Sequence, residues 1–254
     1  MQDLTISLLQ FDQVWEDKAA NRAKITELTQ GLSTDILLIP EMMDTGFSMN
    51  TSLAEEWSDV NSSLIFLKDL SRRIQAAVYT SVMTKTDKGN LNRGVFVTPD
   101  ETVTVYDKRK TFKLAGEDHH YLSGEKERIV SFKGWKINLQ ICFDLRFPEL
   151  VRNTLVHGEP KYDMLLYVAN WPEKRISHWD ALLKARAIEN QCYVAGVNRI
   201  GHDANELSYS GNSWVIAMDG MEALKAPFNR EGVFSCALSY EELQNYRQKL
   251  SFLE

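Results

Sequence analysis

Apolar and polar residues alternate along several short stretches of the chain, and this period of two is typical of strands with one buried face. Wholly apolar runs, typical of strands buried on both faces, also occur. The predicted strands span residues 4–10, 35–39, 77–83, 94–98, 102–106, 135–141, 164–169, 192–198 and 213–218. Another short strand precedes the turn at Lys133 and Gly134, which pairs it with the strand 135–141.

Apolar residues spaced three and four positions apart predict helices. The helices predicted in this way follow the first strand as far as Gly31 and then span residues 64–74, 148–157, 178–190 and 240–249. Gly158 is taken as the end of the third helix. In the fourth, an apolar stripe is expected to pack on a sheet rather than against another copy of the chain, and it comprises Ala181, Leu182, Ala185 and Ile188. The polar residues 109–126 are expected to form a surface loop.

Strands and helices alternate in the first and third quarters of the chain, whereas hairpin-like strand pairs occupy the middle. This order predicts an α/β fold, a four-layer α-β-β-α sandwich in which two mixed sheets pack face to face with helices outside. No linker rich in Pro, Gly or Ser interrupts the 254 residues. We therefore expect a single domain over residues 1–254.

Charge and cysteine content exclude several classes of function. The net charge of -6 argues against nucleic acid as a partner, because the phosphate backbone requires a basic face. No apolar run approaches the ~18 residues that a membrane span needs, and the N-terminus lacks the basic region of a signal peptide. The three cysteines are too few and odd in number for a disulfide framework, which favours a reducing cytoplasm.

Three residues with complementary chemistry each follow a predicted strand: Glu41, Lys108 and Cys142. Taken singly, they have ordinary interpretations as a loop carboxylate, a surface charge and a small core residue. Ligands of open α/β sheets bind beyond the carboxyl ends of the strands, and residues at the ends of neighbouring strands in one sheet converge there. The conjunction of the three therefore indicates a site.

A cysteine thiol with a pKa of ~8.5 needs a base or a nearby cation to become a good nucleophile. Glu41 is a candidate base if apolar neighbours desolvate its carboxylate. Lys108 and the backbone N–H of Phe143 are candidates to stabilise an oxyanion formed when Cys142 attacks a carbonyl. Acyl transfer is the chemistry that this set predicts.

Three segments of the chain resemble the ordered signatures of the nitrilase superfamily, also called the carbon–nitrogen hydrolases. They are Pro40-Glu41, Tyr106-Asp107-Lys108 followed by Phe112, and residues 142–149. The resemblance covers nearly the whole chain and implies the α-β-β-α sandwich, with Glu41 as general base, Lys108 as oxyanion stabiliser and Cys142 as nucleophile.

The same resemblance implies an assisting glutamate in the loop after the lysine. Glu117 fits that position best and Glu125 is the second choice. One departure is Lys110, which stands where many relatives carry a histidine. The neighbouring His119 and His120 lack further ligand spacing, so no metal is expected. No cofactor is implied, since phosphate-loop glycines are absent from the sequence.

Within the superfamily the chain looks most like the omega-amidase branch, which implies hydrolysis of the terminal amide of small 2-oxo acid amides. A related amidase acting on deaminated glutathione or an N-carbamoyl compound, and a non-catalytic binding protein with this fold, are the alternatives. The substrate carboxylate would need a cationic partner, for which Arg146, Lys174 and Arg175 are unranked candidates. A homodimer or larger homo-oligomer is also implied.

Overall fold

The computed structural model describes residues 2–253. In this part of the chain the helices are α1 (Lys18–Leu28), α2 (Ser62–Ile74), α3 (Glu117–His120), α4 (Ile176–Asn190) and α5 (Tyr240–Lys249). The strands are β1 (Leu4–Gln10), β2 (Ile36–Leu38), β3 (Glu55–Glu56), β4 (Ala77–Thr86), β5 (Gly89–Val97), β6 (Val103–Asp107), β7 (Ile129–Phe132), β8 (Trp135–Ile141), β9 (Leu155–Val156), β10 (Glu159–Pro160), β11 (Met164–Ala169), β12 (Tyr193–Asn198), β13 (Ile200–His202), β14 (Ser208–Ser210), β15 (Trp214–Ile216), β16 (Glu222–Lys225) and β17 (Gly232–Leu238).

Two mixed sheets form the centre of the fold. The first has the order β17-β1-β2-β4-β5-β6, with β3 paired to β4, and the second has the order β16-β15-β12-β11-β8-β7. In the first sheet β1, β2 and β4 are parallel, and two antiparallel pairings through β5 bring β6 into the same direction. In the second, β8, β11 and β12 are parallel.

Alternate residues of the strands divide the core into layers. Ile36 and Leu38 of β2 belong to the large cluster between the sheets, whereas the intervening Leu37 packs with α1 and α2 on the outer face. Trp179 of α4 and Leu243 of α5 belong to the large cluster on the side of the second sheet. The predicted four-layer α-β-β-α sandwich is confirmed. No helix within residues 2–253 is long and apolar enough to cross a bilayer.

The helix predicted over residues 148–157 is wrong. A 3-10 turn covers Pro148–Leu150, and β9 and β10 then form a hairpin. The side-chain amide of buried Asn153 donates to the backbone oxygens of Tyr162 and Asn190, which fixes this backbone in a non-helical path. Gly158 has a φ of 82° in the hairpin turn, so it is not a helix end.

The apolar stripe predicted for α4 is only partly right, because Leu182 packs against the core but two of the other members do not. Ala181 and Ile188 are exposed, and the helix instead buries the face that comprises Trp179, Leu183, Arg186, Ala187 and Asn190. Gly196 on β12 makes this close packing possible. A Cβ there would lie 2.7 Å from Cζ2 of Trp179 and 2.8 Å from Cδ1 of Leu183.

We expect Gly196→Ala to lower the free energy of unfolding by about 1–3 kcal/mol, because the added methyl group overpacks the contact between α4 and β12. Urea unfolding followed by circular dichroism measures the change. Ala181→Ser on the exposed side of the same helix is the control, with an expected change within about 0.5 kcal/mol. Equal stability of the Gly196 variant and the wild type would contradict this account of the packing.

Candidate active site

The three strand-end residues come together, but they do not share one sheet. Glu41 and Lys108 follow β2 and β6 of the first sheet, whereas Cys142 follows β8 of the second. The expectation of one common sheet edge is therefore corrected. The sheets pack face to face. The hydroxyl of Tyr79 on β4 donates to the backbone carbonyl oxygen of Gln140 on β8 at 3.0 Å, and this hydrogen bond connects the two sheets.

A buried cluster of charges surrounds Lys108. Its Nζ donates to Oε1 of Glu41 at 2.8 Å and to both carboxylate oxygens of Glu117 at 2.9 and 3.0 Å. The side-chain amide of Asn92 donates to the same two glutamates at 2.7 and 3.3 Å. The two glutamates are 0% exposed and Lys108 is 1% exposed. Water therefore contributes little to their solvation, and the four side chains solvate one another.

The carboxylate of Glu41 is desolvated, but polar groups rather than apolar ones surround it. Besides Lys108 and Asn92, the backbone N–H of Asn170 donates to its Oε2 at 3.0 Å. The Asn170 side chain donates to the Glu41 carbonyl oxygen at 2.6 Å. Glu41 is thus held from both sheets, since Asn170 follows β11.

Cys142 lies at a sharp change from strand to helix. It directly follows β8 and opens a 3-10 helix, Cys142–Arg146, with a φ of 43° that residues other than glycine rarely adopt. Its Sγ points to the carbonyl oxygen of Asn170 at 3.9 Å. The N–H of Phe143 lies in the first turn of this helix, where amide groups lack an intrahelical acceptor.

The charges around the site determine how its groups ionise. Burial raises the pKa of the Cys142 thiol well above its usual value and Glu41 raises it further, while Lys108 acts in the opposite direction. Burial alone would lower the pKa of Lys108, but the carboxylates of Glu117 and Glu41 hold it above its usual value. The resting site therefore contains a neutral thiol beside a permanent cation.

Asp144 connects the nucleophile to the lysine loop. Its buried carboxylate accepts hydrogen bonds from the Tyr106 hydroxyl at 2.7 Å, the Ile141 N–H at 3.1 Å and the Lys110 N–H at 2.9 Å. Burial raises the pKa of Asp144 to about 6, although these donors and Lys108 act against the rise. One carboxylate therefore fixes the backbone on either side of the site.

A cavity of about 520 Å³ opens over Cys142. Aromatic and cationic side chains line much of it, among them Phe47, Phe112, Phe143, Trp171, Arg146, Lys174 and Arg175. Cys142 is part of the lining, whereas Glu41 and Lys108 are not. A molecule in the cavity therefore reaches the thiol first.

Glu117 was predicted from the sequence, but much of its setting was not. The structure brings Glu117 to Lys108 through the short helix α3, inside the segment predicted to be an irregular loop, and leaves Glu125 exposed. Asn92 and the role of Asp144 were missed. A polar residue inside a strand carries no signal of its own, whereas the position of Asp144 two residues after the candidate nucleophile is a signal in the sequence.

Metal-ligating residues are not clustered in the described chain. No group of three or more His, Cys, Asp or Glu side chains within residues 2–253 is arranged to hold a metal ion. His119 and His120 are exposed at the end of α3.

Comparison with known proteins places this geometry in a family. The model of the carbon–nitrogen hydrolase family matches residues 5–248. The chain belongs to the carbon–nitrogen hydrolase family. It is 42% identical over 250 residues to the omega-amidase YafV of Yersinia enterocolitica, an alignment that covers 98% of this chain and 95% of that protein.

Other relatives agree with this assignment. The chain is 29% identical to the 2-oxoglutaramate amidase of Bacillus subtilis, with 97% of this chain and 95% of that protein covered. It superimposes on XC1258 of Xanthomonas campestris, a superfamily member solved with an arsenic adduct in its active site, with a TM-score of 0.95, 38% identity and coverage of 98% and 96%. Family membership and these identities identify this carbon–nitrogen hydrolase as an amidase.

Asp144 makes the stability of this carbon–nitrogen hydrolase depend on pH. Its pKa is about 6 in the folded protein against a usual value of 3.8, so the folded state binds the extra proton between these values. The contribution of Asp144 to stability is therefore complete below about pH 3.8 and is lost as the pH rises through about 6. The asparagine side chain of the Asp144→Asn variant does not titrate, so the stability of the variant does not include this pH-dependent loss.

We expect the stability of the wild type relative to Asp144→Asn to fall by about 1 kcal/mol between pH 5 and pH 7. Urea unfolding of both proteins at the two pH values measures the difference. Comparing the variants at each pH removes the contributions of all other titrating groups. A difference that does not change with pH would show that Asp144 has an ordinary pKa in the folded protein.

Proposed function

We propose that the protein hydrolyses the terminal primary amide of small 2-oxo acid amides, such as 2-oxoglutaramate and 2-oxosuccinamate, to the acid and ammonia. The observation that carries this proposal is the buried contact of Lys108 with Glu41 and Glu117, three charged groups that act on the Cys142 thiol. The names of the relatives, omega-amidase and 2-oxoglutaramate amidase, support the substrate class.

In the first half-reaction Glu41 takes the proton of Cys142, and the sulfur attacks the amide carbonyl carbon. Because the proton moves from Cys142 to Glu41, the net charge of the buried cluster is unchanged by this transfer. An ammonium group has three N–H donors. In this mechanism one N–H of Lys108 is directed at Glu41 and a second is shared between the two carboxylate oxygens of Glu117, which leaves the third for the oxyanion, together with the Phe143 N–H.

Ammonia leaves when Glu41 returns its proton to the nitrogen and the carbon–nitrogen bond breaks. The acyl group then remains on Cys142 as a thioester. Water deprotonated by Glu41 attacks the thioester carbon, the carbon–sulfur bond breaks, and the sulfur regains a proton as the acid departs. Glu117 has no direct part in these bonds. It keeps Lys108 charged and oriented.

A larger amide is the second candidate substrate. The cavity of about 520 Å³ falls within the range of roughly 300–1,000 Å³ that pockets for drug-sized ligands have. It has room for deaminated glutathione or an N-carbamoyl compound. The same catalytic residues would act on either, so only the substrate would change. A single domain, a cytoplasmic location and a homo-oligomer stay predictions.

We expect the purified protein to release ammonia from 2-oxoglutaramate and Cys142→Ala to reduce this to background. The matched control is Cys236→Ala, which removes a half-buried thiol outside the site and should keep full activity. The panel includes deaminated glutathione, an N-carbamoyl compound, glutamine and a simple nitrile. Preferential hydrolysis of another compound would assign that compound as the substrate. A folded protein that releases ammonia from none of them would favour a non-catalytic role.

Glu41→Gln tests the general base separately from the charge. Removing the negative charge should lower the pKa of Cys142, because burial and Glu41 both raise it and Lys108 remains. The thiolate, followed by its ultraviolet absorbance with Cys142→Ala as the blank, should therefore form at lower pH than in the wild type. Turnover should still fall by roughly 10²- to 10⁴-fold, because the base is lost. If Glu41→Gln kept its activity, Glu41 would not be the general base.

A further inference from the structure

A buried glutamine holds the backbone of the candidate general base. The side-chain amide of Gln13, which is 1% exposed, donates to the carbonyl oxygens of Glu41 and Met42, each at 3.0 Å. Only an amide nitrogen can face two carbonyl oxygens, so these contacts determine the orientation of the amide group. Gln13 lies beyond the end of β1, whereas Glu41 follows the neighbouring strand β2. The glutamine therefore connects two strand ends at the site.

The backbone that Gln13 holds has an uncommon conformation. Met42 is buried and has a φ of 48°, in the left-handed region that long side chains rarely adopt. The peptide group between Glu41 and Met42 starts at the Cα atom that carries the Glu41 side chain. A rotation of this group would therefore move the carboxylate relative to the Cys142 thiol. An uncommon conformation persists only where its surroundings fix it, and Gln13 contacts the carbonyl oxygens of both residues.

Packing alone would not favour a glutamine at position 13. Its Oε1 atom is buried and has no hydrogen-bond donor among residues 2–253. A buried polar atom without a partner lowers stability, and an apolar side chain of similar length avoids this cost. Both carbonyl oxygens also have a second donor, which is Asn170 Nδ2 for Glu41 at 2.6 Å and the Gly46 N–H for Met42 at 2.9 Å. Stability therefore gives little reason for this glutamine.

Arg199 fixes Gln13 in turn. This arginine is 0% exposed, and its Nη2 lies 3.0 Å from the backbone oxygen of Gln13 and 2.9 Å from Oδ1 of Asp12. Its guanidinium carbon lies 4.8 Å from the ring centre of Tyr209, which lines the cavity of the site. A buried chain of contacts therefore runs from the cavity wall through Arg199 and Gln13 to the backbone of Glu41.

We propose that Gln13 is a positioning residue, which holds the Glu41 backbone so that the carboxylate stays beside the Cys142 thiol. Arg199 supports it by holding Gln13. This inference rests on the proposed function and deepens it, because it identifies the group that places the candidate base. Gln13 does not line the cavity. Its effect is therefore expected on proton transfer by Glu41 rather than on binding of the amide.

Gln10 offers a matched control for Gln13. It is 0% exposed, and its side-chain amide likewise donates to two backbone carbonyl oxygens, those of Pro227 and Arg230, at 2.8 and 3.0 Å. Its Oε1 also accepts hydrogen bonds from the N–H and the hydroxyl of Ser213. Methionine has a similar length but no N–H donor. Because Gln10 makes more hydrogen bonds, Gln10→Met should lower the stability more than Gln13→Met.

The order of the activities should be the reverse. We expect Gln13→Met to reduce kcat for 2-oxoglutaramate by about 10-fold or more with KM changed by less than about twofold, because the base is displaced and the cavity is intact. Gln10→Met should keep kcat within about twofold of the wild-type value. Urea unfolding measures the stability of each variant, and circular dichroism checks that it is folded. Activity losses that follow the order of the stability losses would overturn the positioning role.

Thiolate formation tests the same role without a substrate. Glu41 raises the pKa of Cys142, so a displaced carboxylate should let the thiolate form at lower pH. The other charged groups that act on the thiol, Lys108 and Glu117, are unchanged in the variant. The midpoint of the ultraviolet absorbance change in Gln13→Met should therefore lie between those of the wild type and Glu41→Gln. The control variant should keep the wild-type midpoint.

The two measurements separate this role from the proposed function. A wild-type midpoint in folded Gln13→Met, or the same shift in Gln10→Met, would overturn the positioning role. A shifted midpoint in a protein that does not hydrolyse 2-oxoglutaramate would instead reject the proposed substrate and keep the role of Gln13. Arg199→Lys keeps the charge but loses the planar group, so it should shift the midpoint in the same direction by a smaller amount. A wild-type midpoint in that variant would overturn the part assigned to Arg199.

Discussion

Lys108 carries a positive charge into a region that water hardly reaches, and the two carboxylates beside it make this possible. A lysine is almost never fully buried without such partners, and here Glu41 and Glu117 both contact its Nζ. Removing one member of a buried ion pair typically costs roughly 3–5 kcal/mol, because the other charge is left uncompensated. The three groups therefore hold one another in the geometry that the chemistry needs.

The position of Cys142 depends on the same cluster through the packing of the two sheets. The thiol comes from the second sheet and its candidate base from the first, so the site exists only while the layers keep their relative position. Asn170 connects Glu41 to the second sheet, and Asp144 connects the Cys142 turn to the loop after Lys108. These contacts explain why several buried polar groups lie beside an otherwise apolar core. Each satisfies a donor or acceptor that the approach of the layers would leave unpaired.

Charge is distributed differently in the two parts of the site. In the buried cluster two carboxylates surround one lysine, Lys108. The wall of the cavity over Cys142 instead carries three cationic side chains, Arg146, Lys174 and Arg175. The inner charges are paired with one another within the protein. The outer guanidinium groups are stacked on aromatic rings and have no carboxylate partner among the described residues.

The sequence by itself determined the four-layer architecture and four side chains of the candidate site, Glu41, Lys108, Glu117 and Cys142. Strand period and apolar runs are local properties, so they showed where β2, β6 and β8 end and which polar residues follow. The ordered signatures around Glu41, Lys108 and Cys142 then indicated the family, and the positions of these residues needed no knowledge of what lies across the core.

Only the tertiary structure decided which groups meet. In the structure the thiol of Cys142 and the carboxylate of Glu41 follow strands of different sheets, and Asn92 donates to both Glu41 and Glu117. The face of α4 that contains Trp179 packs against Gly196. The tertiary structure also replaced the helix predicted from residue 148 onward, because Asn153 bonds to groups that are distant in sequence. The physical reason is the same in each case. A periodic pattern specifies that a side chain is buried, but its partner is chosen by elements from elsewhere in the chain.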